Sequence, residues 1–80
     1  MNVEAKVRKI IEEQLGVSPE RITDNAKLED DLGTDQVQLV ELMMALEEEF
    51  LMSISDEEYD KWVTVKDVVD FVVEKLIEAD

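Results

Sequence analysis

Apolar side chains recur at helical spacing at both ends and in the middle of the chain, with a long aperiodic stretch between the first two groups. Val3, Val7, Ile10, Ile11 and Leu15 follow the helical period, and Gly16 is a natural stop, which predicts a first helix from about residue 3 to 15. Residues 16–32 read as a connection. Within it, Ser18-Pro19-Glu20 has an N-cap followed by Pro at the first helical position, enough for one short turn. Ile22, Ala26, Leu28 and Leu32 are the expected anchors of this connection, because a loop of that length stays ordered only if it is pinned to the core.

A second helix is expected after Gly33, with Asp35 as N-cap and Gln38 as the returning partner of a capping box. Its apolar face is unusually wide: Val37, Val40, Met43, Met44 and Phe50 are joined by Leu39, Leu42 and Leu46. Such width means burial on more than one side or an exposed patch beside acids. Ser55-Asp56-Glu57-Glu58 is a second capping-box pattern and opens a short third helix to about Lys61. Thr64-Val65-Lys66-Asp67 opens the last helix, with Val65, Val68, Val69, Val72, Val73, Leu76 and Ile77 expected inward. The fold class expected is all-α: a four-helix bundle in one domain, 1–80, with a long loop between helices 1 and 2 and a short helix 3.

Composition narrows the chemistry. With 45% hydrophobic residues the 80-residue chain has enough for a core, and with 5% aromatics that core is aliphatic. There is no His and no Cys, so imidazole bases, thiolate nucleophiles, disulfides and zinc-finger ligand sets are excluded. The 22 acids and 8 bases give a net charge of −14, which disfavours nucleic acid and anionic membranes and points to basic protein surfaces. No apolar run is long enough to span a bilayer and no signal peptide opens the chain, so a cytoplasmic monomer is expected.

The charge is also concentrated. Residues 1–27 hold five acids and five bases, whereas Leu28 to Asp60 hold twelve acids and neither Lys nor Arg. A charge run is commonly a solvated face; interleaved with a dense apolar stripe it suggests a docking surface.

The stretch Asp31-Leu32-Gly33-Thr34-Asp35-Gln36-Val37, followed by Val40-Glu41-Leu42-Met43-Met44-Ala45-Leu46-Glu47-Glu48-Glu49-Phe50, closely resembles acyl carrier proteins. Lys9-Ile10-Ile11-Glu12-Glu13-Gln14-Leu15-Gly16-Val17 upstream, and Ile54, Asp56-Glu57-Glu58 and Thr64-Val65 downstream, extend the likeness along essentially the whole chain. The resemblance implies the same four-helix fold. It also implies a Ser in an Asp-Ser-Leu triplet, to which a transferase joins 4′-phosphopantetheine so that the terminal thiol can carry acyl groups. Here the triplet reads Asp35-Gln36-Val37, and a carboxamide has no hydroxyl from which to form the phosphodiester. Thr34, Ser53 and Ser55 are poorly placed substitutes, so the chain as written is expected to carry no prosthetic group.

Two explanations of Gln36 stand. It is a natural feature of a carrier homologue retained for its protein contacts, or an engineered replacement in a working carrier. Val37, Gln38, Leu39 and the Leu51-Met52 pair also depart from the family pattern, and such clustering favours the natural reading.

By the same resemblance, the acyl-pocket positions are Leu46, Tyr59, Trp62, Val68 and Phe71. Trp62 and Phe71 are expected to complete the core, and Tyr59 and Val68 to fill space that a chain would occupy. The docking positions implied are Asp35, Glu41, Met44, Glu47 and Glu48, facing basic patches on acyl-processing, fatty-acid or polyketide-synthesis enzymes. Glu41, Met44 and Glu48 share one helix face by their spacing. A calcium-binding loop is excluded, because placing Gly33 sixth puts Leu28 first. Loose divalent-ion binding at Asp30, Asp31 and Asp35, or at the Glu47–Glu49 cluster, remains open, as does a purely structural acidic bundle; an independent enzyme is not expected.

Overall fold

The computed structural model describes residues 2–78. Four helices follow one another: α1 (Val3–Leu15), α2 (Gln36–Phe50), α3 (Asp56–Tyr59) and α4 (Val65–Glu78), with one 3₁₀ turn at Pro19–Arg21 in the first loop. Each begins where a local polar group satisfies free backbone N–H groups. Asn2 accepts from Ala5 N–H at 3.0 Å, and Ser55 accepts from Glu58 N–H at 3.2 Å. Asp67 accepts from the N–H groups of Val63 and Thr64 at the start of α4, at 2.9 and 3.0 Å, and its carboxyl is held below the usual range by those two donors. At the end of α1, Gly16 takes a left-handed φ of 64° and its N–H closes on the Glu12 carbonyl at 2.9 Å.

The core is mainly aliphatic, with Tyr59 and Trp62 as its buried aromatics. α1 packs against both α2 and α4, contributing Val7, Ile10 and Ile11; Leu42 and Leu46 come from α2, and Val65, Val68, Val69 and Val72 from α4. The four expected loop anchors, Ile22, Ala26, Leu28 and Leu32, are all buried. Polar ties reinforce them: the Arg8 guanidinium donates to the Ile22 carbonyl at 2.7 Å and pairs with Asp24. The far part of the loop is stitched to the α3–α4 connection by Leu28 N–H to Val63 C=O at 2.8 Å and Val65 N–H to Ala26 C=O at 3.0 Å.

Two expectations need correction. α3 ends at Tyr59, short of Lys61, because the chain tightens: Lys61 and Trp62 N–H reach back three residues, to Glu58 and Tyr59. Ile77 is 67% exposed, not inward. Val73 already lies half-buried at the margin of the stripe, and one further turn of four residues rotates about 40° outward.

α3 is fastened to α4 through Glu58. Lys75 Nζ donates to its Oε2 at 2.7 Å and Ser55 N–H to its Oε1 at 2.9 Å, and together they hold the carboxyl down at about 2. Since the folded value lies below the ordinary 4.5, this tie contributes fully above about pH 4.5 and is lost as pH falls toward 2. Lys75→Met is expected to return the Glu58 titration toward its ordinary value, read by NMR of the side-chain carboxyl.

Candidate functional site

The head of α2 is set by the turn before it. Lys27 C=O accepts from Asp31 and Leu32 N–H at 2.9 and 3.0 Å, Gly33 N–H reaches Glu29 C=O at 3.0 Å, and Thr34 N–H reaches Leu28 C=O at 2.9 Å. Gly33 adopts φ 69°, a conformation that a side chain would oppose. The chain is then extended at Asp35, whose Oδ1 accepts from Gln38 N–H at 2.8 Å while Gln38 Oε1 accepts from Asp35 N–H at 3.2 Å. This reciprocal box, as expected, leaves Gln36 as the first helical residue, exposed to solvent.

Neighbouring hydroxyls are differently placed. Thr34 is only 5% exposed. Ser55 caps α3, and Ser53 lies past the far end of α2, roughly 25 Å from Gln36 at about 1.5 Å per residue.

Beside Gln36 lies a cleft of about 240 Å³, with Thr34, Leu39 and Trp62 among its walls and Glu29, Asp30 and Asp60 among its acids. Thr34 Oγ1 and Trp62 Nε1 are both buried without a protein hydrogen-bond partner. An acceptor in the cleft within reach of either would relieve the cost of a buried donor. Sequence reasoning missed this cleft, because Thr34 and Trp62 are brought to its walls by the long-range stitch between the first loop and the α3–α4 connection.

The positions assigned to an acyl pocket belong to the packed core. Leu46 and Val68 are fully buried, and Tyr59 and Trp62 nearly so. Tyr59, Trp62 and the half-buried Phe71 form a run of tilted and edge-on rings, 6.3 and 5.4 Å between centroids. The Lys75 ammonium lies 5.3 Å from the Phe71 ring centre. The cleft at Gln36 is walled by Leu39 and Trp62, not by Leu46, Tyr59 or Val68.

Along α2 the wide apolar face resolves into an inner edge and an exposed patch. Leu42 and Leu46 are fully buried, whereas Val37 is 67% and Met44 55% exposed. Asp35, Glu41 and Glu48 are exposed with them. Glu47 is different: it is half-buried and its Oε2 accepts from Ile54 N–H at 2.8 Å, so it holds the loop after α2. Glu49 reaches α1 instead, pairing with Lys6 at 3.0 Å.

Among the described residues no cluster of three acidic ligands converges on one point. Asp31 and Asp35 turn their carboxylates to different backbone N–H groups, those of Lys27 and Gln38.

After α2 the chain makes a costly turn. Leu51 adopts φ 52° and ψ 53°, left-handed values that suit Gly or Asn, and its N–H closes on the Glu47 carbonyl. For a Leu this costs about 1–2 kcal/mol, and the side chain is 90% exposed, so little burial offsets it. Among the described residues no helix is long and apolar enough to cross a membrane.

The pattern that defines the family described as "Phosphopantetheine attachment site" matches residues 5–72. Similar proteins include the "Acyl carrier protein" of Nitratidesulfovibrio vulgaris strain DP4, identical at 49% over 75 residues, covering 94% of this chain and 99% of that protein. The "Acyl carrier protein" of the Hildenborough strain of the same organism is similar to the same extent.

Proposed function

This chain belongs to the acyl carrier protein family, a family of carriers and not of enzymes, and we propose that within it the chain serves as a docking module without cargo. 4′-Phosphopantetheine is the family's prosthetic group. In the proposed reading Gln36 occupies the position of the Ser that receives it. Its carboxamide offers neither the hydroxyl oxygen nor the displaceable proton that a phosphodiester requires, so the side chain does not fit the group. Buried Thr34 is no replacement. The observation that carries the reading is the exposure of Gln36 at the head of a helix whose outward face keeps Glu41, Met44 and Glu48 in the open.

The partner in this reading is the basic rim of an acyl-processing enzyme. Asp35, Glu41 and Glu48 supply the charge and Met44 the apolar contact, while Glu47 serves mainly to hold its own loop. Exposed charge pairs are worth about 0–1 kcal/mol each, so binding is a sum of weak contacts with a fast, steered approach. The test is titration against a purified fatty-acid-synthesis ketosynthase. Affinity is expected to fall by about tenfold or more between low and half-molar salt, and salt-independent affinity would overturn the reading.

A further inference from the structure

We propose that the cleft beside Gln36 binds a small organic ammonium ion that carries a carbonyl group, its carbonyl oxygen accepting from Trp62 Nε1 and its ammonium held at the acidic rim. The proposal does not rest on the docking reading and does not use the outward face of α2. The cleft holds about 240 Å³ and is the more enclosed of two hollows that Trp62 lines.

Two residues of its wall carry polar groups with nothing to bond. Thr34 and Trp62 are 5% and 7% exposed, yet neither Thr34 Oγ1 nor Trp62 Nε1 has a protein hydrogen-bond partner. The indole N–H only donates, so only an acceptor answers it, whereas the hydroxyl both donates and accepts. Leaving such groups unpaired is unfavourable, which favours any arrangement that brings an acceptor to them. Both atoms are shielded from solvent, so a ligand reaches the indole N–H through a small turn of the ring. Trp62 is bounded by two hollows and not by packed atoms alone. It also lines a more open one of about 400 Å³ with Phe71, whose ring meets it edge-on at 5.4 Å.

Charge selects the kind of acceptor. Glu29, Asp30, Asp35 and Asp60 stand around the cleft against one ammonium, that of Lys27. A carboxylate or a phosphate offers good acceptor oxygens but is repelled by that rim. A metal ion suits carboxylates but not an N–H donor, and among the described residues no three acidic ligands come together. A neutral carbonyl with an ammonium a few bonds away answers both the unpaired donor and the acids.

The test follows the indole N–H proton of the chain's one Trp by NMR as N-acetylputrescine is added. Butylamine, with an ammonium and no carbonyl, and N-acetyl-γ-aminobutyrate, with an acetamide and a carboxylate, are the controls. N-acetylputrescine is expected to move the proton downfield, saturably, and to bind about tenfold more tightly than butylamine. N-acetyl-γ-aminobutyrate should leave it in place. Trp62→Phe keeps a ring but removes the donor, and should bring the two amines to equal affinity. Asp60→Asn, at the exposed rim, should weaken both amines alike. An indole proton that stays in place in the unaltered chain overturns the proposal. If the amines then fail to bind, ordered water serves the two buried groups; if they bind alike, the acids merely collect cations. Equal affinity for N-acetyl-γ-aminobutyrate overturns the ligand class.

Discussion

Leu46→Ala is expected to lower the thermal midpoint by roughly 8–40 °C. Leu46 is fully buried in the core cluster shared by α1, α2 and α4. Truncating a Leu at such a site costs about 2–5 kcal/mol, from lost transfer free energy plus the cavity left behind. Each kcal/mol moves the midpoint of a domain this small by about 4–8 °C. A chain of this length has roughly 4–12 kcal/mol in total to lose. A net charge of −14 further narrows that margin by self-repulsion. The comparison is Val37→Ala on the same helix: at 67% exposure it should change stability by no more than about 0.5 kcal/mol. Urea unfolding of the two variants checks the contrast, with the slope unchanged and only the midpoint shifted for Leu46→Ala.

The features legible in the amino-acid order are those whose cause is local. Asp35 with Gln38, and Ser55 with Glu58, lie three residues apart, and both capping boxes form as the spacing required. Ile22, Ala26, Leu28 and Leu32 were identifiable as anchors because an aperiodic loop offers few other reasons for large apolar residues, and all four are buried. The features that escaped depend on distant parts of the chain or on backbone geometry. Trp62 and Thr34 line one cleft because the bridge between Lys27 and Thr64 joins two distant loops. Glu47 read as one more outward acid, yet Ile54 N–H claims its carboxylate. Leu51 stood out as an apolar residue in a turn usually more polar, but its left-handed cap is a matter of φ and ψ. Ile77 continued the inward period on paper and fails it by rotation past the edge of the core.

Gln36→Ser is expected to yield a chain that accepts the prosthetic group. Gln36 is the first residue of α2 and exposed, and the Asp35–Gln38 box that positions it uses neither of its side-chain groups. Replacing it with Ser therefore leaves the helix start in place and should change stability by no more than about 0.5 kcal/mol. What changes is chemistry: a hydroxyl oxygen now stands at the helix head, with Asp35 before it and the exposed acids of α2 behind it. Under conditions that leave the unaltered chain untouched, a phosphopantetheinyl transferase with coenzyme A should load most of the Gln36→Ser protein. Far-ultraviolet circular dichroism of the variant, matching that of the unaltered chain, would confirm that the gain reflects the new hydroxyl and not a rearranged helix.

The most direct test of the central claim is the intact mass of the unaltered chain after incubation with coenzyme A and an active transferase, with the Gln36→Ser variant as positive control. A single unshifted species is the result expected, because no accessible hydroxyl stands at the head of α2. A phosphopantetheine-sized gain on the unaltered chain, mapped by fragmentation to Thr34 or to any other residue, would contradict it.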